Sequence, residues 1–157
     1  MSEFSHIDET GQLRMVDVSD KAETLRQASA TCRVLVGPKV FPMLQAGRLP
    51  KGDVWAAARL AGIMAAKNTA QLIPLCHTLP LNNVEVDFTL EPQESAVLIQ
   101  TRVRNFGRTG VEMEALTAAA VAVPLAGLAM LVLFSHPSEE KRRLVQQITV
   151  LRLPPPP

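Results

Sequence analysis

An α+β sandwich, an antiparallel sheet with its helices on one face, is what three features of this 157-residue sequence predict. Alternating, β-branched runs recur at 30–37, 84–90, 96–104 and 148–153, the pattern of half-buried strands. Stretches of helical composition at 51–73 and from 109 onward divide those runs into the order strand, helices, strand, strand, helix, strand, which is the split β-α-β order of a ferredoxin-like sandwich. Hydrophobic residues make up 47% and charged residues 20%, so the chain is globular rather than disordered, and its length suits a single domain with a core that needs no staples. No repeat or dividing linker interrupts residues 1–157.

Each element has a local reason. Residues 1–28 are polar and turn-rich and read as an N-terminal arm. "ATCRVLVG", 30–37, is a strand ended by Gly37 and Pro38, and a short helix over Val40–Ala46 is closed by Gly47. The stretch 51–73 predicts one helix with Asp53 as N-cap and an apolar stripe of Val54, Ala57, Ala61, Met64 and Ala65. Pro74 and Pro80 forbid a regular element between them, so "LIPLCHTLPL" is an ordered extended loop. "VEVDFTL", 84–90, and "AVLIQTRVR", 96–104, pair as a hairpin across "EPQES". Thr109 stands three residues before Glu112, the spacing of a capping box at a helix start. "ITVLRL", 148–153, is a last strand before a polyproline end.

Charge and cysteine usage exclude several classes. Sixteen basic and fifteen acidic side chains leave a net charge of +1, so no overall field draws nucleic acid, and any anion site is local. Cys32 and Cys76, with no secretory signal near Met1, point to free thiols in a reducing cytoplasm. Ala115–Phe134 carries no charge over twenty residues, about the length of a bilayer span. Seven alanines, Gly127 and Pro124 favour a buried core helix over membrane insertion.

His77 is the first candidate for chemistry, since an imidazole in an ordered loop is the commonest proton-transfer group. A packing histidine satisfied by a carbonyl is the alternative. Cys76, His77, Cys32 and His6 lack the paired spacing of a structural zinc site. Glu112 is explained by the capping box, whereas Glu114 is not, and two positions apart on a helix they point to nearly opposite sides. Lys51 and Lys67 read as surface charges unless they converge with Arg26 or Arg108 on an anion. No nucleophile elbow, Walker loop, dinucleotide-binding glycine pattern, EF-hand or zincin helix is present.

"MVDVSDKAET" at 15–24, "KGDVWAAARLAGIMAAKNTAQLIPLCHTLPLNNVEVDF" at 51–88 and "TGVEMEALTAAAVA" at 109–122 together closely resemble the cyclic pyranopterin monophosphate synthase family of molybdenum cofactor biosynthesis. The resemblance implies a ferredoxin-like subunit that dimerises, three dimers forming a hexamer with pockets at subunit boundaries. It implies a lyase that converts 3′,8-cyclo-7,8-dihydroguanosine 5′-triphosphate to cyclic pyranopterin monophosphate and releases pyrophosphate. Carried over by position, Leu75, Cys76, His77, Met113, Glu114 and Arg26 would bind substrate, and Lys51, Lys67, His77 and Glu112 would be catalytic. Preplaced cations stabilise charge on a leaving pyrophosphate. No cofactor or metal ligand set is implied, although magnesium is compatible with a triphosphate.

After Ala122 the sequence departs from the family. Where the family carries a catalytic aspartate and, three residues on, a lysine, "VPLAGLAMLVLF" places Leu128 and Leu131. Glu139, Glu140 and Lys141 follow in a polar segment with Pro137 and are poor replacements. Inside a helix Pro124 predicts a kink or break, at a cost of about 3 kcal/mol. Residues 123–157 therefore read as a divergent C-terminal segment, and a catalytically impaired member that binds the intermediate or only oligomerises is the alternative function.

Overall fold

The computed structural model describes residues 5–47, 53–131 and 147–151. Strands β1 (Thr24–Leu35), β2 (Asn83–Glu91), β3 (Ala96–Gly107) and β4 (Gln147–Leu151) form one sheet in the order β2-β3-β1-β4, every neighbouring pair antiparallel. Helices α1 (Phe41–Gln45), α2 (Val54–Lys67), α3 (Thr69–Leu72) and α4 (Glu112–Leu131) complete the chain. This is the α+β, ferredoxin-like order expected from the sequence.

Alternation decides which strand residues face the helices. Ala28, Ala30, Cys32 and Val34 of β1 and Val97, Ile99, Thr101, Val103 and Asn105 of β3 are all buried. Onto this face α4 lays Ala115, Ala118, Ala119 and Ala122, with Val111 just before its first residue, each 0% exposed. Small side chains let helix and sheet approach until the Thr101 hydroxyl, 2.9 Å from the Ala115 carbonyl, bridges them. The same logic joins α2 to α4, because a Cβ on Gly62 would lie only 3.2 Å from the Ala118 carbonyl oxygen. At the outer edge Arg59 of α2 donates from Nε to the Val86 carbonyl at 2.9 Å and lies 5.5 Å from the Phe88 ring centre. Away from the helices the sheet is charged, with Glu85 meeting Arg102 at 3.0 Å and Arg104 at 3.4 Å.

The β2–β3 hairpin closes through a 3-10 turn at Pro92–Glu94 and a left-handed Ser95 at φ 49°. The Ser95 carbonyl accepts from the Val36 and Gly37 amides at 3.0 and 3.1 Å, which ties this turn to the end of β1.

Several expectations are corrected. Strand β1 begins at Thr24, inside the segment read as an arm, and stops at Leu35; residues 24–28 pair with β3 from Gly107 to Val103. The single helix expected over 51–73 is two, because Asn68 donates its side-chain amide to the Met64 carbonyl and Thr69 Oγ1 donates back to Ala65 and Ala66. Such local bonds compete with the helical ladder. Asp53 is the N-cap as expected, accepting from the Trp55 and Ala56 amides at 2.9 and 3.0 Å. The buried stripe of α2, however, is Val54, Ala58, Gly62, Ala65 and Ala66, with Ala57 and Met64 exposed. The smallest residues face α4, which composition alone did not reveal.

The capping box is out of register, since Glu112 is the first helical residue and the Val111 carbonyl accepts the first bond, from Ala115. Helix α4 runs through Pro124 without interruption to Leu131, so the expected break is absent. No helix among the described residues is long and apolar enough to cross a membrane. Lys51, Glu139, Glu140, Lys141 and the polyproline end lie outside the described residues.

Gly62→Val places branched bulk against a backbone carbonyl that cannot rotate away, and is expected to lower unfolding free energy by about 1–3 kcal/mol, read from the midpoint of urea denaturation.

Candidate active site

Topology gathers the candidate residues at one end of the sandwich. Strands β1 and β2 both run antiparallel to β3 and therefore parallel to each other. The start of β1, the start of β2, the end of β3, the start of α4 and the end of α2 share this end. It thus brings together Arg26 near the start of β1, Lys67 closing α2, the 73–82 loop, and Glu112, Met113 and Glu114 opening α4.

The loop is fixed at both sides. At its entry Ile73 donates to the Thr69 carbonyl at 2.8 Å and Leu75 is left-handed, φ 66°. For a leucine that conformation costs about 1–2 kcal/mol and is held by its surroundings. At its exit Asn82 is clamped to β3: its amide donates to the Arg104 carbonyl at 2.9 Å and its Oδ1 accepts from the Phe106 amide at 2.7 Å. Leu75, Cys76 and His77 are half-buried between these anchors.

Glu114 faces the interior at 4% exposure. Burial, joined by the charge of Glu112, holds its carboxyl above the usual carboxylate range, partly offset by its own backbone amide. Glu112 is half-buried over Gly110, where an added Cβ would fall on the Glu112 carboxylate. The two acids leave the helix in different directions, as their spacing requires, and still sense each other. Burial, then the charge of Glu114, pushes the Cys76 thiol up, so it is a neutral thiol beside an acid rather than a reactive thiolate.

Asp17, which sequence reasoning passed over, belongs to this cluster. Its carboxylate accepts from the Ser19 amide at 2.9 Å. Hydrogen bonds from Ser19 lower its pKa first, and the charge of His77 adds to them. "MVDVSDK" reads locally as an ordinary turn, and only the fold lays it beside the imidazole. Arg108 fastens the segment, donating from Nη1 to the Ser19 carbonyl at 3.1 Å and lying 3.6 Å from Glu23. This guanidinium is thus an anchor for the arm. Arg26 is half-buried and reaches the Gly107 carbonyl at 3.5 Å, while Lys67 and Met113 are exposed.

Two positions lie elsewhere. Leu128 and Leu131 are sixteen and nineteen residues beyond Glu112 in α4, hence about 24 and 28 Å along the helix axis. Among the described residues no three His, Cys, Asp or Glu side chains converge as a metal set.

Fold and cluster together define a ferredoxin-like α+β protein that places imidazole, thiol and carboxylic acids on a rigid loop and a helix start, a class fitted to proton transfer on a small organic substrate. The sequence pattern of the MoaC family matches residues 15–131, and the chain belongs to that family. It is 57% identical over 122 residues to the cyclic pyranopterin monophosphate synthase of Thermomicrobium roseum, covering 78% of this chain and 74% of that protein. The synthase of the same name from Nostoc is 57% identical over 119 residues, 76% of this chain and 71% of that protein. That of Chloroflexus aurantiacus is 54% identical over 121 residues, 77% and 74% of the two chains.

Because the folded state raises the Glu114 pKa above its ordinary 4.5, the stability linked to this group is full below that value and is lost as pH rises through the folded pKa. Glu114→Gln is expected to remove this decline, matching the parent at pH 4 and exceeding it at pH 8 in thermal unfolding. Cys76 is expected to react with iodoacetamide more slowly at pH 7.5 than an unperturbed cysteine, by mass spectrometry of the alkylated peptide; Cys32, fully buried, stays unmodified.

Proposed function

We propose that this chain is a cyclic pyranopterin monophosphate synthase, a lyase of molybdenum cofactor biosynthesis that takes 3′,8-cyclo-7,8-dihydroguanosine 5′-triphosphate and releases pyrophosphate. The observation that carries this reading is the convergence of His77, Cys76 and Glu114 at one end of a fold whose sequence matches the family over residues 15–131. Opening a purine ring and closing a pterin ring require groups that give and take protons near neutral pH. His77 and Glu112 are assigned that role. Glu114, Met113, Leu75, Cys76 and Arg26 bind the substrate, and Lys51 and Lys67 stabilise charge on the departing pyrophosphate. No resident cofactor is assigned; magnesium accompanies the triphosphate. Two free thiols suit a reducing cytoplasm.

Helix length supports assembly as a dimer or a trimer of dimers. The Glu112 end of α4 and the Leu128–Leu131 end are too far apart to serve one pocket in one subunit. A pocket that uses both ends takes them from different copies.

Leu128 and Leu131, where the family carries an aspartate and a lysine, favour a second reading, binding of the intermediate without turnover. Mixing purified protein with the cyclo-GTP intermediate and measuring pyrophosphate separates the two. On the first reading pyrophosphate appears with the pterin product, and His77→Ala lowers the rate by about 10²–10⁴-fold. On the second, the intermediate binds unchanged and turnover arises only in the Leu128→Asp, Leu131→Lys double variant. Neither binding nor turnover would end both.

A further inference from the structure

Among the described residues, four buried side-chain polar atoms lack a hydrogen bond. Two of them, Arg33 Nε and Glu91 Oε2, face each other 2.8 Å apart as an ion pair. The other two are Oδ1 and Nδ2 of one residue, Asn105, which is 0% exposed. Leaving a buried amide unpaired is destabilising, and an apolar residue of the same shape would avoid that penalty. A residue kept against stability is a candidate for function.

Its position supports this. Asn105 is on the helix-facing side of β3, as Thr101 is. Thr101 lies under Ala115, the fourth residue of α4. From Thr101 the strand carries Asn105 about 13 Å further toward the site end, whereas Ala115 is about 4.5 Å from the first residue of α4. Asn105 therefore sits past the start of α4, beneath the turn from Gly107 to Gly110. Glycine at 107 makes room for it, since a Cβ there would come within 2.7 Å of Asn105 Nδ2. Its partner across the sheet is Arg26, whose Nε is 3.5 Å from the Gly107 carbonyl, at the weak limit of hydrogen bonding.

We infer that Asn105 is a specificity-determining residue whose amide reads the lactam edge of a guanine-derived ring, Oδ1 accepting from the ring N–H and Nδ2 donating to the adjacent C=O. An amide offers this donor and acceptor pair side by side. Arg26 exchanges its weak bond to Gly107 for the substrate's phosphate, and the glycine-bounded turn moves to uncover the amide. The inference rests on the proposed function for the identity of the ring.

The test compares the parent with Asn105→Leu, and with Asn105→Ala so that overpacking by leucine does not decide the matter. GTP and ATP carry the same phosphates, and only GTP has a lactam. By calorimetry the parent is expected to bind GTP more tightly than ATP, and both variants to lose about tenfold or more for GTP with ATP unchanged. The melting temperature of Asn105→Leu is expected to equal or exceed that of the parent, and KM for the cyclo-GTP intermediate to rise. Unchanged GTP affinity, an equal loss for GTP and ATP, a parent that does not prefer GTP, or loss of fold in both variants would overturn the inference. A parent that discriminates GTP through Asn105 yet neither binds nor converts the intermediate would overturn the proposed reaction and leave the amide's role standing.

Discussion

The contact on which the rest of the structure depends is the alanine face of α4 pressed on the centre of the sheet. Val111, Ala115, Ala118, Ala119 and Ala122 are wholly buried there, and the Thr101 hydroxyl locks the distance through Ala115. Close packing makes this contact intolerant of added volume. It also fixes where α4 begins, and with it the height of Glu112, Met113 and Glu114 above the loop that carries Cys76 and His77. Gly62 extends the same constraint to α2, so that the end of α2 reaches the site from a set direction.

The site itself goes against stability. Glu114 is a buried acid with a second acid nearby, Leu75 adopts a backbone conformation leucine rarely takes, and Asn105 holds an amide with nothing to bond. All three lie at the same end of the sandwich. At the far end Ser95 ties the hairpin turn to β1 and Arg33 pairs with Glu91 at 2.8 Å.

Much of this was legible in the sequence, for physical reasons that differ by element. The strands were visible because their alternation is local, and the Pro-flanked loop because proline acts on its own backbone. Asp53 was readable as a cap for the same reason. What escaped was decided by distant partners. The register of β1 back to Thr24 is set by β3, eighty-one residues away in the chain for Leu25 and Phe106. The buried stripe of α2 is chosen by α4 and not by the hydrophobicity of Ala57 or Met64. Asp17 gains its place beside His77 only when Arg108 draws the arm across the end of the sheet. The roles expected of Leu75–His77, Met113 and Glu114 rest on resemblance, since spacing alone left them open. The uninterrupted α4 shows that a proline tolerated by the backbone is not a boundary.

The Asn82 clamp has a consequence in time. Both of its bonds end on the backbone of β3 at Arg104 and Phe106. Until the β2–β3 hairpin has zipped, neither of these bonds can hold the exit of the loop. During refolding the imidazole therefore finds its place after the strands have formed, and a chain with complete secondary structure can still lack a finished site.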